Sequence, residues 1–328
     1  MVKFEHKSIK INAIATALPS NESKHSLREQ TSSDLGYEAA LKIINEHNID
    51  INTIGIVLFI SKTSDYRGPA TALVLHHRLQ LPIDCLAFDT PIGACGFETA
   101  LNIGSALLTT NNTKFALCIF GDTTSKQLSD NDYLQNEIVD GSSAMLLEKL
   151  DSDELFKIEN LTLSSHWQKY VIPSGGFRTS NLFDNLINKR GCQSKENLHI
   201  DFLAIDTELK TKITNIISDK LKENSVKPVV LINSWNRNIA LAVKEIGILN
   251  NLTCYFIDTN QYAFSASIPL LLEKNFENGT QEIIDVMTIS FGEGLSMMIS
   301  EFKIEKSAII KTIATNNFFD NGFVTHEM

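Results

Sequence analysis

The side chains best suited to building a nucleophile, a base or a metal centre here are five cysteines and eight histidines. Cys85, Cys95, Cys118, Cys192 and Cys254 are odd in number, widely spaced and without a CxxC pair, so neither a disulfide framework nor a zinc site is indicated. The histidines form no HxH or HxxxH pattern, and His76–His77 sits in the helical stretch TALVLHHRLQ, where it reads as a helix face. No metal and no cofactor is expected. Cys118 (FALCIF) and Cys254 (LTCYFI) lie inside apolar strand patterns and read as core. Cys95 is different. It stands in Asp89-Thr-Pro-Ile-Gly-Ala-Cys-Gly-Phe97, flanked by Gly93, Ala94 and Gly96, where a helix is about to begin. The partial positive charge of a helix start favours thiolate, and small neighbours let a substrate approach. The same features describe a small buried cysteine at a tight turn. A nucleophilic cysteine also wants a partner. The matching turns of the second half offer Asn233 (LINSWN) and Tyr262 (IDTNQYAFSAS). Both can donate hydrogen bonds to a carbonyl, and neither is a general base at neutral pH. Glu98, one turn into the helix, is either a further acid or base or a charge that suits a helix start.

The elements that would position these residues alternate in type. Apolar runs at 55–60, 114–120, 227–233 and 252–257 read as buried strands, and helices are predicted at Asp34–His47, Ala70–Leu79, Phe97–Leu108, Ile205–Glu223, Asn236–Ile246 and Phe264–Lys274. The order repeats. GIVLFISKTS, a helix, CLAFDT, a helix from Phe97 and a strand ending in FGD (120–122) are matched by VVLINSWN, a helix, CYFIDT, a helix from Phe264 and a strand ending in FGE (291–293). This predicts a duplicated, layered α/β fold, with one half at 1–200 including an insertion and the other at 201–328. Residues 150–200 are polar and irregular, with a Pro173-Ser-Gly-Gly turn, and suit the wall of a site. The segment after Lys303 reads as a weakly patterned polar tail, either mobile or docked on a partner.

Composition narrows the function classes. Lys+Arg number 29 against 39 Asp+Glu, a net charge of −10, which repels nucleic acid and anionic membrane. The 43% hydrophobic content fits a packed globular chain. No run is long enough to span a bilayer and the start lacks a signal peptide's apolar stretch, so a cytoplasmic location is expected.

In order along nearly the whole chain, SDLGYEAALKIINEHNID (33–50), TSDYRGPATALVLHHRL (63–79), AFDT…GFETAL (87–101), VDGSSAMLLE (139–148), SSHWQKYVIPSGG (164–176), ASIP (266–269) and SFGEGLSMMISEF (290–302) resemble the ketoacyl-ACP synthase III branch of the thiolase superfamily. The resemblance implies a thiolase-like α-β-α-β-α fold, a homodimer or heterodimer, and an acyl group loaded from a thioester onto cysteine before condensation with a malonyl-type thioester. The family's Ala-Cys-x-Gly-Phe is here Ala94-Cys95-Gly96-Phe97. Without gaps, Ala94 falls on the nucleophile position and Cys95 one place later, a rotation of about 100° on a helix. The family's histidine corresponds to Asn233 and its asparagine to Tyr262. Phe97, Trp235 and Gly294 fall on the substrate side. The link between Leu18-Pro19 and Ser33-Asp34, about 14 residues, is shorter than the family's nucleotide-holding segment, which argues against coenzyme A as donor. With all three triad positions changed, the leading expectation is a silent or divergent subunit paired with an active ketosynthase III-like subunit in fatty-acid or polyketide-type secondary metabolism. The alternatives are an acyltransferase that uses Cys95 without decarboxylation, and a scaffold that binds an acyl chain or acyl-carrier protein.

Overall fold

Apolar runs flanked by turns become strands buried on both faces, and the chain forms two such sets. The structure is a computed structural model that describes residues 1–172, 198–200, 213–222, 227–257, 261–276 and 281–320. Cys192, the Pro173 turn and Asn260 lie outside the described residues. The strands in chain order are β1 (Val2–Lys7), β2 (Ile9–Pro19), β3 (Ile54–Ile60), β4 (Leu86–Thr90), β5 (Phe115–Asp122), β6 (Gly141–Lys149), β7 (Leu155–Thr162), β8 (Tyr170–Val171), β9 (His199–Ile200), β10 (Val229–Asn233), β11 (Cys254–Phe256), β12 (Ile283–Gly292), β13 (Ser296–Glu305) and β14 (Ile313–Thr315). The helices are α1 (Ser32–Glu46), α2 (Thr71–Arg78), α3 (Gly96–Thr110), α4 (213–222), α5 (Arg237–Leu249) and α6 (Ser267–Phe276).

One six-stranded sheet runs β14-β2-β6-β5-β3-β4 and the other β1-β7-β13-β12-β10-β11. Read from the β4 and β11 edges, the first four strands of each follow the same pattern: parallel, parallel, then antiparallel. The repeat seen in the sequence is therefore a repeat of topology. Alternation along each strand sorts side chains between layers. Ile56, Leu58 and Ile60 of β3 join α3, α6 and Leu231 in the core between the sheets, whereas Val57 and Phe59 face α1 and α2. Val230 and Ile232 of β10 face α4 and α5 on the far side. The layers are α, β, α, β, α, as the thiolase-like pattern implies.

Two regions differ from the sequence expectation. Part of the segment after Lys303 is built into the first sheet: β14 pairs with β2, and Ile310 is buried beneath it. A three-residue strand is too short to show a period in the sequence. Beyond it, the Phe319 amide donates to Asp34 Oδ1 at 2.9 Å, and Arg78, paired with Asp34 at 2.8 Å, lies against the Tyr37 and Phe319 rings. The helix expected from Phe264 opens with a 3-10 turn at Phe264–Ala266, with Phe264 in the left-handed region at φ 48°. Trp167 is exposed.

The short 20–31 link is tied down. Ser26 N donates to Asp140 Oδ2 at 2.7 Å, Lys126 Nζ donates to the carbonyls of Arg28 and Gln30, and the Gln30 amide reaches the carbonyls of Thr315 and Asn317. Among the described residues no helix is long and apolar enough to cross a membrane.

Helix α3 carries a fully buried carboxyl. Glu98 Oε1 accepts from Thr288 Oγ1 at 2.5 Å and Ser290 Oγ at 2.6 Å, and burial pushes its pKa from 4.5 up to about 7. The folded state thus holds a proton that the unfolded chain has lost. The stabilisation is full below pH 4.5 and disappears as pH rises through about 7. Glu98→Gln, which keeps the acceptor oxygen, is expected to leave stability unchanged near pH 5 and to raise it by about 1–3 kcal/mol at pH 8. Urea melts at the two pH values check this. Gly121 supplies a second expectation. A Cβ there would collide with the backbone of Gly141 and Ser142 on the neighbouring strand, so Gly121→Ala is expected to cost about 3 kcal/mol, measurable in the same melts.

Candidate active site

Strands β3, β5, β10 and β12 end at one place, and the residues just past their carboxyl ends face the start of α3, where ligands of α/β folds bind. The register of α3 decides what points there. Its apolar face, with Phe97, Ala100, Leu101 and Leu108, is locked in the central core. Phe97 packs against Phe120 and Phe302 at centroid distances of 5.9 and 5.7 Å, so it supports the helix from within the core.

Cys95 belongs to the same face. It is 1% exposed, its Sγ lies 3.6 Å from the Ser290 carbonyl and 3.6 Å from Ser296 Oγ, and it joins the cluster of Phe97 and Met298. Burial pushes its thiol well above the ordinary value and the nearby Glu98 adds to the rise, against a smaller opposing effect of the Ser296 hydrogen bond. The favourable field of the helix start is overridden by desolvation.

Ala94 points the other way. It packs with Leu128, Ile138, Tyr170, Tyr262 and Phe264. Its peptide is held from both sides: Asn233 Nδ2 donates to the Ala94 carbonyl at 2.7 Å, and the Ala94 amide donates to the Glu293 carboxylate at 3.3–3.4 Å. The structure therefore brings Ala94, Asn233 and Tyr262 together and turns Cys95 and Phe97 away. Asn233 is 1% and Tyr262 8% exposed. Neither Asn233 Oδ1 nor the Tyr262 hydroxyl has a hydrogen-bond partner among the described residues. The Tyr262 backbone bonds across the halves, its carbonyl accepting from Val139 N at 3.0 Å and its amide donating to the Glu137 carbonyl at 3.3 Å. Trp235 packs against Tyr170 at 5.6 Å between centroids. With Leu128, Ile138, Leu198, Tyr262 and Phe264 it bounds a cavity of about 60 Å³. Gly294 forms the β12–β13 turn at φ 94°, with open space where a side chain would be.

The charged part of the site was not singled out in the sequence. Lys62, just past β3, places its ammonium 3.7 Å from the Phe264 ring centroid, 2.6 Å from the Tyr170 hydroxyl and 3.5 Å from Glu293 Oε1. Its backbone amide donates to Asp122 Oδ1 at 2.9 Å. Asp122 is buried and its pKa rises to about 6, with Lys62 pulling it down and Glu293 pushing it up. Burial, then the Glu293 charge, push the Tyr170 and Tyr262 hydroxyls well above the ordinary tyrosine value. The repeat held a signal for this group: Asp122 and Glu293 are the last letters of FGD and FGE, so duplication brings two acids to equivalent strand ends around one lysine. Among the described residues no cluster of His, Cys, Asp and Glu could hold a metal ion.

No family model matches the chain. Individual proteins do. The beta-ketoacyl-[acyl-carrier-protein] synthase III of Neisseria gonorrhoeae is 30% identical over 256 residues, 76% of this chain and 77% of that one. The enzyme of the same name from Clostridium tetani is 26% identical over 305 residues, 86% of this chain and 87% of that one. Among solved structures, 3-oxoacyl-(acyl-carrier protein) synthase from Burkholderia xenovorans superposes with a TM-score of 0.85 at 22% identity, covering 96% of this chain and 99% of that one. The priming beta-ketosynthase of the R1128 polyketide pathway gives 0.75 at 14% identity, covering 92% and 97%. Five alternating layers and a duplicated strand order agree with these likenesses: the chain belongs to the beta-ketoacyl-[acyl-carrier-protein] synthase III family, with the thiolase-like fold.

Proposed function

We propose that this chain is a subunit of fatty-acid or polyketide-type biosynthesis that does not load an acyl group on cysteine, and that it acts paired with an active ketosynthase III-like subunit. The observation that carries the reading is the opposite orientation of neighbours: Ala94 faces the strand-end residues, while Cys95 is sealed in the core. Ala94 has no nucleophilic atom. Asn233 spends its amide on the Ala94 carbonyl, and Tyr262, with its hydroxyl pushed up by burial, is no base at neutral pH.

The β4 edge supports pairing. Among the described residues β4 is bonded on one side only, to β3. Leu86 is 47% exposed, the rest of the strand is half-buried, and Ile83 just before it is fully exposed. An apolar edge strand of this kind is a hazard unless another strand covers it. A ketosynthase III-like subunit is the occupant proposed, pairing edge to edge with β4; acyl thioesters and acyl-carrier protein would then meet the partner's site.

Intact-mass spectrometry after exposure to acyl-CoA and acyl-carrier thioesters is expected to find no adduct on either the native chain or Cys95→Ala. An adduct that depends on Cys95 would replace this reading with a divergent acyltransferase. Co-expression with a ketosynthase III-like subunit, followed by light scattering, is expected to give a mixed complex. Leu86→Asp is expected to weaken it by about tenfold or more, and a chain that stays monomeric beside every such subunit would refute the pairing.

A further inference from the structure

We propose that the cradle made by the Ala94 amide, the Lys62 ammonium and the Tyr170 hydroxyl is a carboxylate-binding site that the chain fills with its own Glu293. This deepens the reading of the silent site and rests on it for the view that no acyl thioester reacts there.

Four observations converge. First, the Glu293 carboxylate lies on the Ala94 amide at 3.3–3.4 Å, at the entry to the 15-residue helix α3, where backbone donors and the helix dipole favour an anion. Gly93 makes this possible, because a Cβ there would overlap the carboxylate. Second, a counter-charge is built in. Lys62 reaches Glu293 Oε1 at 3.5 Å from a position fixed by the Phe264 ring, the Tyr170 hydroxyl and its own backbone bond to Asp122. Third, Asn233 Oδ1 and the Tyr262 hydroxyl are buried beside Ala94 without hydrogen-bond partners among the described residues. Buried polar atoms are normally satisfied, so two orphans in one place mark a site shaped for a polar group that Glu293 does not fully replace. Fourth, the cavity of about 60 Å³ bounded by Tyr262, Trp235 and Phe264 lies alongside, with room for about two water-sized groups. A carboxylate carrying a short alkyl chain matches the whole arrangement: oxygens on Lys62 and Ala94, carbon in the cavity.

Glu293 is joined to the body by a turn. It follows β12, and Gly294 takes φ 94° with open space around it. The carboxylate that closes the site is thus a side chain on a hairpin tip. Its removal leaves the helix, Lys62 and the aromatic rings in place.

Thermal melts of the full-length Glu293→Ala chain in sodium acetate, sodium propionate and sodium chloride, at matched ionic strength, test the assignment. The variant is expected to melt below the native chain, and both carboxylates are expected to raise its midpoint saturably, by about 3 °C at ten times their dissociation constant. The native chain is expected not to respond, and adding Lys62→Met to Glu293→Ala is expected to abolish the response. A folded Glu293→Ala chain on which carboxylates act no better than chloride, or a response that survives Lys62→Met, overturns the proposal. If Glu293→Ala unfolds in chloride, recovery of the folded state with propionate supports it and failure to recover overturns it. The outcome is separable from the silent-subunit reading. A Cys95-dependent acyl adduct defeats that reading without touching the cradle, and an unresponsive variant with no adduct defeats the cradle alone.

Discussion

The closeness of α3 to both sheets is the constraint on which the site depends. Gly96 faces Ser265, where a Cβ would come within 2.7 Å of the serine Cβ; Gly104 faces Leu147 and Cys118 at 2.7 and 2.8 Å; and a Cβ on Gly292 would stand 2.9 Å from Cys95 Sγ. A helix wedged by glycines on two sides cannot rotate to accommodate a shifted residue. The direction of every side chain at its start is therefore set by Phe97 and Leu101 deep in the core. With 3.6 residues per turn, moving a thiol by one position swings it about 100°. Here that swing separates a residue that faces Tyr262 from one that faces Ser290 and Ser296. The same wedge removes water from Cys95, and desolvation then sets its protonation.

Much of the architecture was legible because buried parallel strands announce themselves. GIVLFI and FALCIF have little polar interruption, and the repeated order of strand and helix gave the duplication before any topology was known. β14 was not legible. It owes its place to pairing with β2, a contact of long sequence separation with no local pattern behind it. At the site, the offset between Ala94 and Cys95 was visible as a missing residue between cysteine and glycine, but the direction of each side chain depended on helix packing. Lys62, Asp122 and Glu293 escaped for another reason. Each reads alone as an ordinary surface charge, and only the convergence of three strand ends makes them one group.

That group is costly by the usual rules. Lys62 and Glu293 side chains are 13% and 22% exposed, and an ion pair withdrawn from water to this degree gains little net stability over an apolar pair of similar volume. Asp122 adds a second acid whose pKa is already raised to about 6, and Phe264 holds a left-handed backbone to bring its ring beneath the lysine. Strain and unfavourable charge gathered at strand ends usually accompany a functional role.

The fully buried Glu98 and the partly exposed Glu293 stand in different surroundings. Among the described residues Glu98 has two hydroxyl donors and no cation in contact, and burial dominates, so at neutral pH it is close to half protonated. Glu293 meets an ammonium, a backbone amide and a tyrosine hydroxyl, a set of donors of the kind that holds a carboxylate in place. Side chains that only filled space at the start of α3 could have been apolar, as their neighbours Leu128, Ile138 and Phe264 are. The donors instead keep the electrostatic form of an anion site intact while the carboxylate of the chain itself occupies it.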